Sequence, residues 1–569
     1  MGLGGGGSAG RTTFEIQRLR QDRWVTETVR DTEQAARETA KGVFADKSCA
    51  GVRVVRNWAH GDGTISETVI AEQTRTVRDD GPMRINKIED APPRCQKLEE
   101  YFSIESRATM GRVFHTYLEK LQLTPTEILH QRKELQRLQD KDTLVPSAID
   151  AVATLQTAGT ESSAKDRREE MFAALNQITA KARATEKKNL PKLGEKFSGL
   201  IATLAKSADA DYLAMTVLAR TLSGTPNWLG KLGTLCKLAE AETDAHALEL
   251  LDTVIADVLG TDVIQEILGP LPSLASAIIG LIDLADGQFD PNTSDSIEVA
   301  EALNHLFAAH KLPASARRLI DRALRQLRSA QPLCRHNPAK ELEEYGRVLT
   351  RLLLPGSILA GAQAAEALTL RGTRFVEQGG NAGRRTAITN TVHALPDRAR
   401  GVMYLSELTK TDLAKDHLND IIEQLDGVFS TRVIDELCRR SLTPKERLIT
   451  ATGAINAARS SALPEELKEQ VSRHIDTVLE RYLVDEKIID RLDDPAAPLR
   501  DRAVRLVKFC GAGVLPEGRA LNRARQRVVD LLRQPKFDQQ FVEGISDPEK
   551  AAESLRAFHT LLVQSGFGG

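Results

Sequence analysis

DDGPMRINKIEDAPPRC, residues 79–95, separates two different readings of the chain. Asp79-Asp80-Gly81-Pro82 and Pro92-Pro93 are turn and breaker signals, so residues 77–94 read as a linker. Before it, β-branched and aromatic residues alternate with polar ones. After it, strong helix formers dominate to the end of the chain. The fold class expected is mainly α: a small N-terminal α+β domain, an antiparallel sheet with one helix, followed by a long helical body, arranged as a solenoid-like stack or as irregular bundles.

Phe14, Ile16 and Leu19 mark a first strand, and Trp24, Thr26 and Thr28 alternate with Val25, Glu27 and Val29 in a second. Asp31 or Thr32 can cap the following helix, where Ala35, Ala36, Thr39, Ala40, Val43 and Phe44 recur at helical spacing. Gly51 to Trp58 and Ile65 to Glu72 form two further strands around Gly61-Asp62-Gly63. That turn lacks the repeated carboxylates of a calcium loop and the Gly-rich run with Lys of a nucleotide loop, so it reads as a plain hairpin. Residues 12–76 are thus expected to be a docking or assembly domain. Residues 1–11, MGLGGGGSAGR, have neither a charged leader nor an apolar core and read as a flexible tail.

The helical body divides by its breakers into residues 95–190, a hairpin or connector region; 191–345, a helical array; 346–492, an array with a glycine-arginine turn; and 493–569, a C-terminal unit. Cys95 to Leu121 reads as one helix. Thr124-Pro125-Thr126-Glu127 is a cap with proline at the first helical position, and Ile128 to Asp140 continues as a second helix. Further breaks are expected at 145–147, 157–163, 189–191, 223–226, 269–272, 287–293 and 312–313.

Composition limits the function classes. The 77 basic and 79 acidic residues nearly cancel, which removes a general attraction to nucleic acid. The apolar stretch Leu271 to Leu284 is too short to span a bilayer and is interrupted by Pro272 and Asp283, so no membrane insertion is expected. Six scattered cysteines without a CxxC pair suggest reduced thiols and a cytoplasmic protein. His305 and His310 lie five apart, about 140° around a helix, and HExxH is absent; no metal site and no cofactor are expected. GxSxG is absent as well, and the adjacent acidic pairs are poor general acids, so no catalytic residues are assigned.

One segment carries chemistry. Gly379-Gly380-Asn381-Ala382-Gly383-Arg384-Arg385 enters a helix, and exposed N–H groups with two arginines can receive an anion there. The candidate ligand-binding set is Gly380, Gly383, Arg384 and Arg385, with Arg371 and Arg374 nearby; a close helix-helix turn is the structural alternative. The function expected is a non-enzymatic cytosolic helical scaffold, adaptor or regulatory protein that assembles with a protein partner and with itself. The alternative is an enzyme or ligand-regulated protein with an anion-binding pocket between helices.

Overall fold

Alternating side chains build four strands, β1 (Thr12–Arg20), β2 (Arg23–Arg30), β3 (Gly51–Ala59) and β4 (Ile65–Thr74), in one antiparallel sheet of order β2-β1-β3-β4. Helix α1 (Glu33–Ala45) follows β2, and its Ala36 and Ala40 pack on Phe14, Ile16, Val52 and Val54. Thr32 caps it, its Oγ1 accepting the Ala35 N–H at 3.3 Å. On the other sheet face the Glu15 carboxylate accepts from Gln17, Thr26 and Asn57, and the Arg53 guanidinium lies 4.7 Å above the Trp24 ring. That face mixes these hydrogen-bonded polar groups with Val29, Val55 and Val69, which lie in register with Glu15. The Gly61-Asp62-Gly63 turn and the tail at 1–11 lie outside the described residues.

This computed structural model describes residues 12–20, 23–45, 49, 51–59, 65–74, 83–141, 143–225, 227–294, 296–335 and 337–567. The chain forms two compact units, Met1–Met83 and Arg84–Gly569. The second is almost wholly helical.

Its first helices are α2 (Ile104–Val113), α3 (His115–Leu121), α4 (Pro125–His130), α5 (Arg132–Gln139), α6 (Leu144–Thr157) and α7 (Ala164–Glu186). The stretch read as a single helix from Cys95 to Leu121 is therefore broken: residues 98–102 form a 3-10 turn, Ser103 caps α2 by accepting the Ser106 N–H, and Phe114 leaves helical geometry at φ -100, ψ 19. The helix expected from Ile128 to Asp140 is also divided. Gln131 is extended there, and its side-chain amide donates to Ala219 O and Ser223 Oγ of α9 (Ala210–Ser223). Pro146 falls in the first turn of α6, where its missing N–H removes no helical bond, so it does not break the helix.

The body continues through α8 (Phe197–Leu204), α9, α10 (Trp228–Ala241), α11 (Ala245–Leu259), α12 (Val263–Leu268), α13 (Leu274–Ala285), α14 (Ile297–Ala308) and α15 (Pro313–Arg328). Then follow α16 (Glu341–Leu352), α17 (Gly361–Gly372), α18 (Gly380–Ala394), α19 (Arg398–Leu408) and α20 (Leu418–Leu425). The packing is progressive along the chain: α15 rests on α11 and α13, α17 on α15, α19 on α17, and the Pro444–Arg459 helix on α19. One buried cluster of Leu, Ala, Val and Ile extends from Phe197 to Phe558 without interruption. Burial of apolar helix faces against successive neighbours is the main stabilising term. Among the described residues, no helix is long and apolar enough to cross a membrane.

Candidate functional site

A group of charged side chains lies between α2–α3, the C-terminal end of α11 and α15. Three features of the sequence place α15. Pro313 starts it, Leu312 supplies no side-chain cap, and Asp252 from α11 takes over that role by accepting the Ala314 and Ser315 N–H groups at 2.6 and 2.9 Å. With this end fixed, Arg318, Arg322 and Arg325 at i, i+4 and i+7 share one face of the helix.

These arginines differ in their partners. Arg322 caps α11: its Nη1 donates to Thr261 O at 2.7 Å and to Leu259 O and Gly260 O at 3.4 Å. Arg318 has one long bond, from Nη2 to Ala108 O at 3.4 Å. Arg325 makes no hydrogen bond or ion pair within the described residues, and Arg112 of α2 donates only to Thr109 Oγ1 at 3.4 Å, its buried Nε being unpartnered. No carboxylate lies within ion-pair distance of Arg112, Arg318 or Arg325 among the described residues. Burial, together with the like charges of Arg318 and Arg112, pulls the Arg325 guanidinium down to about 10. Arg318 is lowered by burial and then by Arg112, with Asp257 and Asp321 opposing; Asp321 opposes the shift of Arg325 as well.

Deeper in the seam the charges are matched. Arg107, 2 % exposed, pairs with Asp257 at 3.2 Å and contacts Thr126 Oγ1, and Asp257 also accepts from the Thr126 hydroxyl at 2.6 Å. Burial raises the Asp257 carboxyl, with Arg107 opposing. His115 and Glu119, one turn apart on α3, meet Asp262, and one donor atom from each of the three lies within 4.8 Å of the others. Glu119 already accepts the Asp262 N–H at 2.7 Å and the Trp228 Nε1–H at 2.8 Å, while His115 Nε2 stands 3.6 Å from Asp262 Oδ1. Arg322 Nη2 lies 4.0 Å from the same Asp262 oxygen, supplying the positive charge that a cation would bring. The crevice between Arg107, His115, Glu119, Asp257 and Arg318 has a volume of about 20 Å³, room for one water. This chemistry favours holding an anion at the outer arginines over holding a metal at the inner carboxylates.

The glycine-arginine segment is arranged differently. α18 begins at Gly380, whose φ of +65° falls in the left-handed region. Gly383 sits in its first turn, and a Cβ there would meet Gln378 O at 2.1 Å, so close backbone approach explains that glycine. Arg385 bridges to α20, with Nε 3.0 Å from Asp420 and Nη2 2.9 Å from Glu423. Arg384 is half-buried and has no hydrogen-bond partner within the described residues. Arg371, 2 % exposed, points to the end of α15 instead: Nε, Nη1 and Nη2 donate to Leu327 O, Gln331 O and Gln326 O. Arg374 reaches Ala330 O at 3.5 Å. Arg371 and Arg374 thus serve one helix terminus and Arg385 another helix.

Sequence reading missed the seam, although two signals were present. His115 and Glu119 stand four apart in one helix, and ARRLIDRALRQLR repeats arginine along the flank of a leucine face. Their convergence on Asp262, Asp257 and Arg112 joins segments distant in the chain, those of α2 and α3 more than a hundred residues from α11 and α15. No protein family, curated protein or solved structure matches the chain.

Proposed function

We propose that this protein is a non-enzymatic cytoplasmic helical scaffold whose assembly is regulated by a small anion, a phosphate or polycarboxylate, received at Arg112, Arg318 and Arg325. The observation that carries the reading is three half-buried guanidiniums gathered without a carboxylate at ion-pair distance among the described residues. Paired charge-assisted bonds from arginine to phosphate or carboxylate would relieve their mutual repulsion. His115 faces Asp262, and no serine or cysteine is hydrogen-bonded to it among the described residues, which argues against nucleophilic chemistry. Six free cysteines support a reducing compartment. The assembly part is supported by the small sheet, where β2 and β4 are edge strands and Val29 and Val69 are exposed.

Calorimetric titration with pyrophosphate and with citrate at low salt tests the anion site. Saturable binding by the native chain, weakened at least tenfold in an Arg112→Gln/Arg325→Gln double variant that stays folded, is the expected result. Absence of binding, or equal binding by the double variant, overturns it. If Arg384→Gln/Arg385→Gln weakens binding and the seam variant does not, the anion belongs to the glycine-arginine turn.

A further inference from the structure

α2 also borders a partly open pocket with a volume of about 150 Å³. Its walls are mostly apolar: Val113 at the end of α2 and Leu135, Leu138, Val152, Met171 and Ile178 from α5, α6 and α7 line it, with Tyr101 and Phe114. Close-packed interiors hold few voids larger than a water molecule, and an apolar void of this size stays dry and accepts a compact apolar guest. The two methionines among its lining residues, Met110 and Met171, are unbranched and can adjust to different shapes.

One wall of the pocket is a strap of irregular chain. Residues 83–97 have no regular secondary structure, and this strap contributes Pro92, Pro93 and Cys95 to the lining. Gln156 Nε2 donates to Pro92 O at 3.1 Å and to Pro93 O at 2.8 Å. Arg167 Nε donates in turn to Gln156 Oε1 at 2.7 Å, and its Nη1 to Cys95 O at 3.0 Å and Glu170 at 2.7 Å. Arg94 ties the outside of the strap to Glu170 and Ser162. The one buried charge beside the strap is therefore already matched by Glu170, and nothing in the lining calls for a charged guest.

We propose that this cavity is a binding site for a hydrocarbon group of about six carbons, entering beneath the Pro92-Pro93 strap. A free apolar molecule and the end of an acyl chain share that chemistry. To enter, either must part the two proline carbonyls from Gln156, so occupancy and strap position are linked.

The test uses the full chain with benzene and with octanoate as probes, reading thermal unfolding and the alkylation rate of Cys95, the one cysteine of the six that is not buried. Each probe that binds should raise the midpoint saturably by about 2 °C at ten times its Kd and slow Cys95 alkylation severalfold. Benzene and octanoate both acting supports a site open to either source; octanoate acting alone supports an acyl chain with its carboxylate left at the mouth. Val152→Phe fills the space and should abolish both effects, with Ala148→Leu as the milder filling change if the first does not fold. No midpoint shift with either probe, or shifts unchanged in a folded filling variant, overturns the proposal.

Discussion

The seam beside α15 and the turn before α18 both bring arginines together, and the structure uses them in opposite ways. Around α17 and α18 all but Arg384 are taken up: Arg371 donates to three carbonyls at and just beyond the end of α15, Arg374 reaches Ala330 O, and Arg385 bridges two carboxylates of α20. At the seam, Arg112, Arg318 and Arg325 are held near one another with weak or no partners. A cluster of arginines in sequence does not by itself indicate a ligand. What matters is whether the surrounding backbone and carboxylates have already satisfied them.

The sharpest way to break this comparison is Arg371→Gln. Three carbonyls at the α15 terminus would lose a buried, charged donor, so unfolding stability should fall by about 3 kcal/mol while pyrophosphate binding by the folded fraction is unchanged. Chemical denaturation with titration of the same sample checks both. Loss of binding with little loss of stability would move Arg371 from the fold to the ligand.

Histidines sharpen the same contrast. His130 lies in the core against Phe102 and Tyr212, with ring centroids 5.4 and 4.5 Å away, and burial pushes its pKa down to about 3. His115 in the seam is raised by its hydrogen bond to Asp262. The signs are opposite. Between about pH 6.5 and 3 the unfolded chain binds a proton that folded His130 refuses, so stability is lost as pH falls, by about 1.4 kcal/mol per unit from this group, or about 2 kcal/mol at pH 5. His115 contributes stability that is present below pH 6.5 and is lost as pH rises through its folded pKa. His130→Phe should flatten the acid side of a stability-versus-pH profile by about one proton; an unchanged slope would show that the core tolerates charge there.

The smallest effect is expected from Arg385→Gln. Its two ion pairs are solvent-exposed, so the cost should stay below about 1 kcal/mol and shrink further in 0.5 M salt. A loss comparable to that of Arg371→Gln would mean that the α18–α20 bridge holds the stack together.

Local signals were legible wherever neighbouring residues settle the backbone. Thr124-Pro125-Thr126-Glu127 and Thr443-Pro444-Lys445-Glu446 both form the capping boxes that their order implies, because each needs only four consecutive residues. The four-stranded sheet and its helix follow from alternation and spacing in the same way. Gln131 and Phe114 were not legible as breaks: neither residue type ends a helix, and at Gln131 the polar groups it reaches belong to α9.

By itself, then, the sequence determined the small sheet with its helix and a body of helices with leucine and alanine faces, since these depend on periodicity and turn chemistry along a short stretch of chain. Only the tertiary structure decided what the charged residues do. Glu127 was readable as a cap, yet it also holds the buried Lys231 ammonium at 2.7 Å, a partner from a helix that begins a hundred residues later. Arg371 was readable as a cation beside a glycine loop, yet it closes the end of α15. The energy of a charge is fixed by the dielectric and the partners around it, and in a progressive helical stack those neighbours come from elements distant in sequence.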